Sequence, residues 1–159
     1  MFPSTMTIMR GAERRKSMTK IAIGDADSII ALVYKNDTNH VKAQNIAAQL
    51  LAEKYQIIYP NTAIIEAITT LKRALNLSDK SHFINRQYQK NIFNVEFVSQ
   101  SIMQRASEIF EETQSKQNTF FDAVVVATAE SLDTKLIFSF DKWYSKLGFK
   151  LAGAINKSS

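Results

Sequence analysis

The chain has 159 residues, of which 45% are hydrophobic and 22% are charged, a balance typical of one globular domain with one core. The net charge of +5 arises mainly in the first twenty residues, which hold five basic residues and one acid, so it says little about the folded body. The chain has no cysteine, which excludes disulfides and cysteine-bound zinc, and it has only two histidines. Its four glycines form no glycine-rich nucleotide-binding loop. Carboxylates are therefore the remaining candidates for catalytic or metal-binding groups.

The first eighteen residues differ in composition from the rest of the chain. They are polar and basic without hydrophobic periodicity, which predicts a disordered extension, and they lack the apolar stretch of a secretory signal peptide. Met18 directly precedes the first apolar run, so either Met18 is the native start or the segment is a genuine basic tail. We therefore expect a domain over residues 19–154, a flexible tail over 155–159, and a cytoplasmic protein.

Short apolar runs alternate with amphipathic stretches along the remainder of the chain, which indicates alternating strands and helices. The predicted strands, in chain order, are Ile21–Gly24, Gln56–Tyr59, a segment within Ile92–Val98, Leu136–Phe138 and Phe149–Leu151. The predicted helices are Ser28–Tyr34, Val41–Lys54, Thr62–Leu75 with Asn61 as its cap, Asp79–Lys90, Ile102–Thr113 and Phe120–Leu132. This order predicts a single α/β domain, with a central parallel sheet of about five strands and helices on both faces.

Two acidic residues directly follow predicted strands. Asp25 comes after the first strand, and Asp141 comes after the fourth. Open parallel sheets bind ligands beyond the carboxyl ends of their strands, at the point where the strand order reverses. If the first and fourth strands are neighbours, Asp25 and Asp141 face one crevice. Alternatively, Asp25 or Asp27 caps the helix that follows, and Asp141 caps the next turn.

Two further acids lie in apolar surroundings. Asp122 opens the apolar helix Phe120–Leu132, where Thr119 and Asp122 also match a capping box. Glu66 lies inside a helix, between apolar neighbours, where capping does not explain it. Because an unpaired buried carboxylate costs several kcal/mol, such positions need a partner or a metal ion.

Taken together, these segments resemble the PIN-domain family, and within it the VapC-type toxins of toxin–antitoxin pairs. The resemblance covers residues 20–151. The stretch from Ile23 to Leu32 resembles the first motif of the family, with Asp25 at the end of the strand. Glu66 stands where the family has its second acid, and the stretches around Asp122 and Asp141 resemble the third and fourth motifs.

One residue departs from the family pattern. Asp27 stands two residues after the first acid, where the family usually has Ser, Thr or Asn. We expect Asp27 at the edge of the site, although capping of the following helix is the alternative. Ser139, two residues before Asp141, occupies a position where Thr or Ser is usual, and we expect it at the site edge as well.

The resemblance implies an endoribonuclease that depends on Mg²⁺ or Mn²⁺ and hydrolyses RNA phosphodiester bonds. Its metal ligands and catalytic residues would be Asp25, Glu66, Asp122 and Asp141. The resemblance also implies a cognate antitoxin and a homodimer. Two alternatives remain: a PIN fold that binds or regulates without cleaving, and a receiver-like phosphoacceptor domain that uses Asp25 and Asp27.

Some surface residues are weaker candidates. Contacts to RNA phosphates are expected from Lys72, Arg73, Arg86 and Lys142, although each could be ordinary solvated surface. Trp143 and Tyr144 could stack on a base, but packing against the sheet edge is the favoured interpretation. Apolar residues that exceed the needs of a lone surface helix, and so suggest a partner surface, are Leu75, Leu77, Phe83 and Ile84.

Overall fold

The computed structural model describes residues 19–157, so the predicted extension over residues 1–18 and the last two residues lie outside it. Strands and helices alternate through this range, as the hydrophobic pattern predicts. In chain order the elements are β1 (Lys20–Gly24), α1 (Ala26–Val33), α2 (His40–Ala52), β2 (Tyr55–Pro60), α3 (Asn61–Arg73), α4 (Ser78–Gln89), β3 (Asn94–Glu96), α5 (Gln100–Glu112), α6 (Phe120–Ser131), β4 (Leu136–Phe138), α7 (Trp143–Lys146), β5 (Lys150–Leu151) and a 3-10 helix (Ala152–Lys157).

The five strands form one parallel sheet in the order β3-β2-β1-β4-β5. This confirms the predicted α/β class. β1 pairs with β4, with Ile23 opposite Ile137 and Gly24 opposite Phe138. The chain leaves β1 towards β2 and β3 on one side and later returns to β4 on the other, so the strand order reverses between β1 and β4. The order also differs from the 2-1-3-4-5 arrangement of flavodoxin-like receivers, which excludes the receiver alternative.

Side chains of the strands alternate between the two faces of the sheet. Ile23 and Ile137 belong to the core on the face that α5 and α6 cover. Ala22 and Phe138 belong to the core on the opposite face, where α2 packs. The helix α6 is the most enclosed, since every residue of Ala123–Ala129 is buried. Helices α1, α3 and α4 form a third cluster around Tyr59.

Element ends differ from the prediction in places. Asn61, predicted to cap α3, is instead its first residue, and its Oδ1 atom accepts a hydrogen bond from Val98 N at 3.0 Å. That bond ties the start of α3 to the segment after β3. The short helix α7 was not predicted, because four residues carry too little periodicity to reveal a helix. The 3-10 helix extends to Lys157, past the predicted domain end at residue 154.

None of the helices in the described residues is long and apolar enough to cross a membrane.

Candidate active site

The carboxyl ends of β1 and β4 bring two of the predicted acids to the same edge of the sheet. The backbone N–H of Asp25 donates to the carbonyl of Phe138 at 3.1 Å, so the β1–β4 ladder continues to the acid itself. The Asp25 side chain is only 5% exposed. Its Oδ1 atom accepts from Ala26 N at 2.7 Å at the start of α1. Asp25 therefore has a capping contact through Oδ1, while its second oxygen, Oδ2, contacts the hydroxyls of Tyr144 and Ser139.

Asp27 does not cap a helix. Its Oδ2 atom accepts hydrogen bonds from Ser139 Oγ and from Phe140 N, each at 2.8 Å. Ser139 Oγ also lies 3.4 Å from Asp25 Oδ2. The other oxygen, Asp27 Oδ1, is buried and has no hydrogen-bond partner. Asp27 thus joins α1 to the segment after β4 and keeps one carboxylate oxygen free.

Two further predicted acids, Asp122 and Glu66, come from the helices α6 and α3. Asp122 Oδ2 accepts from Thr119 N at 2.6 Å and lies 3.3 Å from Thr119 Oγ1, which are capping contacts at the start of α6. Glu66, on α3, has a buried Oε2 atom without a hydrogen-bond partner. The capping contacts therefore account for one oxygen of the Asp122 carboxylate, Oδ2. No hydrogen bond from the protein accounts for the buried Oε2 atom of Glu66.

Asp141 is held by residues beside it. Its Oδ1 atom accepts from Trp143 N, and its Oδ2 atom accepts from Asn118 Nδ2, each at 2.9 Å. Its own N–H donates to Ser139 Oγ at 3.1 Å. The predicted turn cap at Asp141 is thus present as well. Asn118 is buried in the loop before α6, and its contact with Asp141 had no distinctive signal in the sequence.

Tyr144 is a site residue that the sequence analysis missed. Its side chain is 0% exposed, so it cannot stack on a base. Trp143 packs, partly buried, on the same core as Tyr144, which agrees with the favoured packing interpretation. The Tyr144 hydroxyl lies 2.7 Å from Asp25 Oδ2 and 3.3 Å from Asp122 Oδ1. The sequence carried no signal for these contacts, because they depend on how the short helix α7 directs the Tyr144 side chain.

Burial and mutual repulsion disfavour the charged forms of these carboxyls. Burial, and then the charge of Asp27, raise the pKa of Asp25 well above its ordinary value. Burial raises the pKa of Asp27 to about 6 despite the hydrogen bonds from Phe140 and Ser139. Burial, followed by the charges of Asp122 and Asp27, raises the pKa of Glu66 to about 7. The pKa of Asp122 is also raised, first by burial. The cluster therefore holds protons more tightly than isolated carboxyls do, and its ionised forms repel one another.

The donors in the crevice suit a hard divalent cation. They are carboxylate oxygens, the ligands that Mg²⁺ and Mn²⁺ prefer. Unpartnered buried side-chain atoms among the described residues are Asp27 Oδ1, Thr62 Oγ1 and Glu66 Oε2, and two of the three belong to this cluster. As the side chains stand, no three His, Asp or Glu residues within 19–157 are arranged to hold one ion. Several carboxylate oxygens instead accept hydrogen bonds from protein donors.

The basic residues predicted to contact RNA lie at different places relative to the acid cluster. Lys142, exposed, directly follows Asp141 at the crevice. Lys72 and Arg73 are in the last turn of α3, on the order of 10 Å along the helix from Glu66 at 1.5 Å per residue. Arg86 is exposed on α4.

The predicted partner surface is only partly exposed. Leu75 and Phe83 are 39% and 43% exposed, and Leu77 is partly buried. The inclusion of Ile84 was wrong, because this side chain is buried in the cluster formed by α1, α3 and α4.

Comparison with known proteins gives the same fold. The chain shares it with VapC20 of Mycobacterium tuberculosis, a toxin that cleaves the sarcin-ricin loop, at a TM-score of 0.70 and 21% identity over 82% of this chain and 97% of that one. A toxin–antitoxin complex from Klebsiella pneumoniae matches at a TM-score of 0.47 and 17% identity, over 76% and 87% of the two chains. No curated protein sequence matches the chain significantly. The profile of the PIN domain, however, matches residues 22–150, and the protein therefore belongs to the PIN domain family.

Proposed function

We propose that this PIN-domain protein is a Mg²⁺- or Mn²⁺-dependent endoribonuclease and the toxin of a type II toxin–antitoxin pair. The observation that carries the proposal is the grouping of five acids at the β1–β4 switch point. Asp25 interacts electrostatically with Asp27, Asp122 and Glu66, and Asp141 interacts with Asp27 and Asp122. Repelling carboxylates of this kind are stable together when a cation lies among them.

In this proposal Asp25, Glu66, Asp122 and Asp141 hold the ion directly or through water. Asp25 keeps its capping bond to Ala26 and offers its second oxygen. Glu66 offers Oε2, which no protein donor occupies. Asp122 uses Oδ2 for its cap, whereas Asp141 accepts a hydrogen bond at each of its two oxygens. A carboxylate oxygen that accepts one hydrogen bond has a further lone pair available to a cation.

Asp27 and Ser139 act at the edge of this site. The Ser139 hydroxyl donates a hydrogen bond to Asp27 and accepts one from the backbone N–H of Asp141, so this one group positions both acids. The free Oδ1 atom of Asp27 makes it a fifth oxygen donor, in a family that usually has an uncharged polar residue there. We infer that Asp27 increases affinity for the ion.

A bound Mg²⁺ or Mn²⁺ supplies a Lewis acid that activates water and offsets the charge developing on the phosphate. The protein orients the ion through the carboxylates and excludes bulk water from the buried side of Asp25. Lys142, beside Asp141 and exposed, is the basic candidate best placed to receive an RNA phosphate. Lys72, Arg73 and Arg86 would contact the RNA farther from the cut.

A protein partner belongs to the same proposal. Ile65, Leu75 and Phe83 are exposed apolar side chains on or directly after α3 and on α4, which pack against each other. Exposed apolar side chains on two helices that pack together support a protein-binding surface there. We propose that this surface contacts an antitoxin or a second copy of the chain.

The test is cleavage of a labelled RNA pool by the purified protein with Mg²⁺, with Mn²⁺ and with EDTA. The Asp25→Asn variant should lose more than about a hundredfold in rate, because even residues that only orient metal ligands can cost that much. The Asp79→Asn variant, which changes an exposed acid on α4, is the matched control and should cut like the wild type.

Cleavage that persists in EDTA, or in Asp25→Asn at the wild-type rate, would overturn the proposal. Metal binding by calorimetry without cleavage of any RNA would instead identify a non-catalytic PIN module. Metal-dependent cleavage lost in Asp25→Asn would leave the RNA target as the next question.

A further inference from the structure

The Tyr144 hydroxyl occupies the position between two of the proposed metal ligands. It lies 2.7 Å from Asp25 Oδ2 and 3.3 Å from Asp122 Oδ1, and these two acids come from different elements, the end of β1 and the start of α6. No backbone hydrogen bond joins Asp25 directly to Asp122. The phenol is thus a direct polar connection between the two carboxylates.

The ring that carries this hydroxyl is fixed. The Tyr144 side chain is fully buried in the cluster with α5 and α6. Its carbonyl accepts from Leu147 N and from Phe149 N, each at 3.1 Å, which anchors the backbone of α7 as well. A side chain in a close-packed core has little room to change its rotamer. Burial therefore favours the position of the hydroxyl beside Asp25.

A phenol has one proton, so it donates to one carboxylate at a time. The shorter distance assigns that bond to Asp25 Oδ2. The bond restrains the rotamer of Asp25 by holding Oδ2 beside the hydroxyl, and a carboxylate oxygen that accepts one hydrogen bond keeps a lone pair for a cation. Groups that orient metal ligands in this way typically change affinity for the ion by 10- to 100-fold when they are removed.

We propose that Tyr144 is a positioning residue of the metal site, whose hydroxyl holds Asp25 Oδ2 in place so that Asp25 is already positioned when the acid cluster binds a divalent cation. This inference rests on the proposed function. It adds a residue that no acidic motif marks, and it assigns to α7 a role in the site beyond covering the core.

The test compares Tyr144→Phe with the wild type by titration of Mn²⁺, with free Mn²⁺ measured by electron paramagnetic resonance. This readout does not depend on cleavage. The matched control is Tyr59→Phe, which removes another buried tyrosine hydroxyl, one that contacts Ser28 Oγ at 3.2 Å rather than a carboxylate. Unfolding in urea with EDTA measures the stability of each variant separately.

We expect Tyr144→Phe to weaken Mn²⁺ binding by about 10- to 100-fold, while Tyr59→Phe binds like the wild type. Equal affinity in all three proteins would overturn the inference and show that the hydroxyl only stabilises the fold. Tighter binding by Tyr144→Phe would overturn it too, because the hydroxyl would then compete with the ion. Absence of Mn²⁺ binding in the wild type would overturn the proposed function itself. Weaker Mn²⁺ binding in Asp25→Asn, together with unchanged Mn²⁺ binding in Tyr144→Phe, would overturn only the role of Tyr144.

Discussion

Asp27 combines two roles that a substitution can separate. One oxygen accepts from Ser139 and Phe140, and the other is buried without a partner. Asparagine at this position keeps an acceptor for both donors, whereas alanine removes the acceptor of the partly buried Phe140 N–H and the nearest acceptor of the Ser139 hydroxyl. We expect Asp27→Ala to be less stable than Asp27→Asn by about 1–3 kcal/mol, measured by urea unfolding of the metal-free proteins. Equal stabilities would mean that these hydrogen bonds contribute nothing to the fold.

The roles of single residues were predictable where they follow from chain position. Asp25 and Asp141 follow strands, so the rules of parallel sheets place them at one edge, and the structure brings them there. Tyr144 and Asn118 were not predictable, because their contacts depend on how α7 and the loop before α6 turn their side chains. Whether the four acids are metal ligands stays a prediction.

At the scale of elements, the ring of Tyr59 at the end of β2 packs directly against the end of β1 because Gly24 has no side chain. A Cβ atom added at Gly24 would overlap the ring of Tyr59, whose side chain is 5% exposed and whose hydroxyl contacts Ser28. The ring is enclosed by α1, α3 and α4, so it has little room to move. Gly24 therefore makes room for the Tyr59 ring directly before Asp25, the next residue.

We expect Gly24→Ala to destabilise the protein by about 1–3 kcal/mol, the usual cost of overpacking a core. The control is Gly153→Ala, whose added methyl group would meet only the flexible end of Ile46 at 3.1 Å and should cost less. In a Tyr59→Leu background the effect of Gly24→Ala should shrink, since the ring that it meets is gone. A full effect in that background would mean that the strain lies elsewhere.

Element types were predictable where the periodicity is long. All strands and every helix of eight residues or more in the described range were located from the sequence, and their ends moved by only a few residues. The helix α7 was not predicted because it is a single helical turn. Asn61 was misassigned as a cap because Pro60 occupies the cap position and Asn61 bonds to Val98, a contact between distant parts of the chain.

At the scale of the whole molecule, the pairing of β1 with β4 determines both fold and site. The sequence predicted a parallel sheet but could not determine that β1 pairs with β4, because strand order depends on contacts between residues more than a hundred positions apart. Once β1 lies beside β4, acids from four different parts of the chain converge, and their charges affect the stability of the entire fold.

The acid cluster should make the stability of the metal-free protein depend on pH. Folding raises the pKa of Glu66 to about 7 and that of Asp27 to about 6, so the folded chain binds these protons more tightly than the unfolded chain does. This contribution to stability is complete below the unfolded pKa values, near 4, and is lost as the pH rises through about 7. In EDTA, Glu66→Gln should match the wild type at pH 4 and become the more stable protein by pH 8.

A divalent cation should reverse that loss, because it binds the deprotonated carboxylates and therefore the folded state. At a free-ion concentration one hundred times Kd, binding adds about 2.7 kcal/mol, which for a domain of this size raises Tm by about 5 to 10 °C. The rise should be large at pH 8, small at pH 5 where protons compete for the same oxygens, and reduced in Glu66→Gln. Thermal unfolding with and without Mn²⁺ at the two pH values measures it. An equal rise in Tm at both pH values, or in both proteins, would place the binding of the ion outside this cluster.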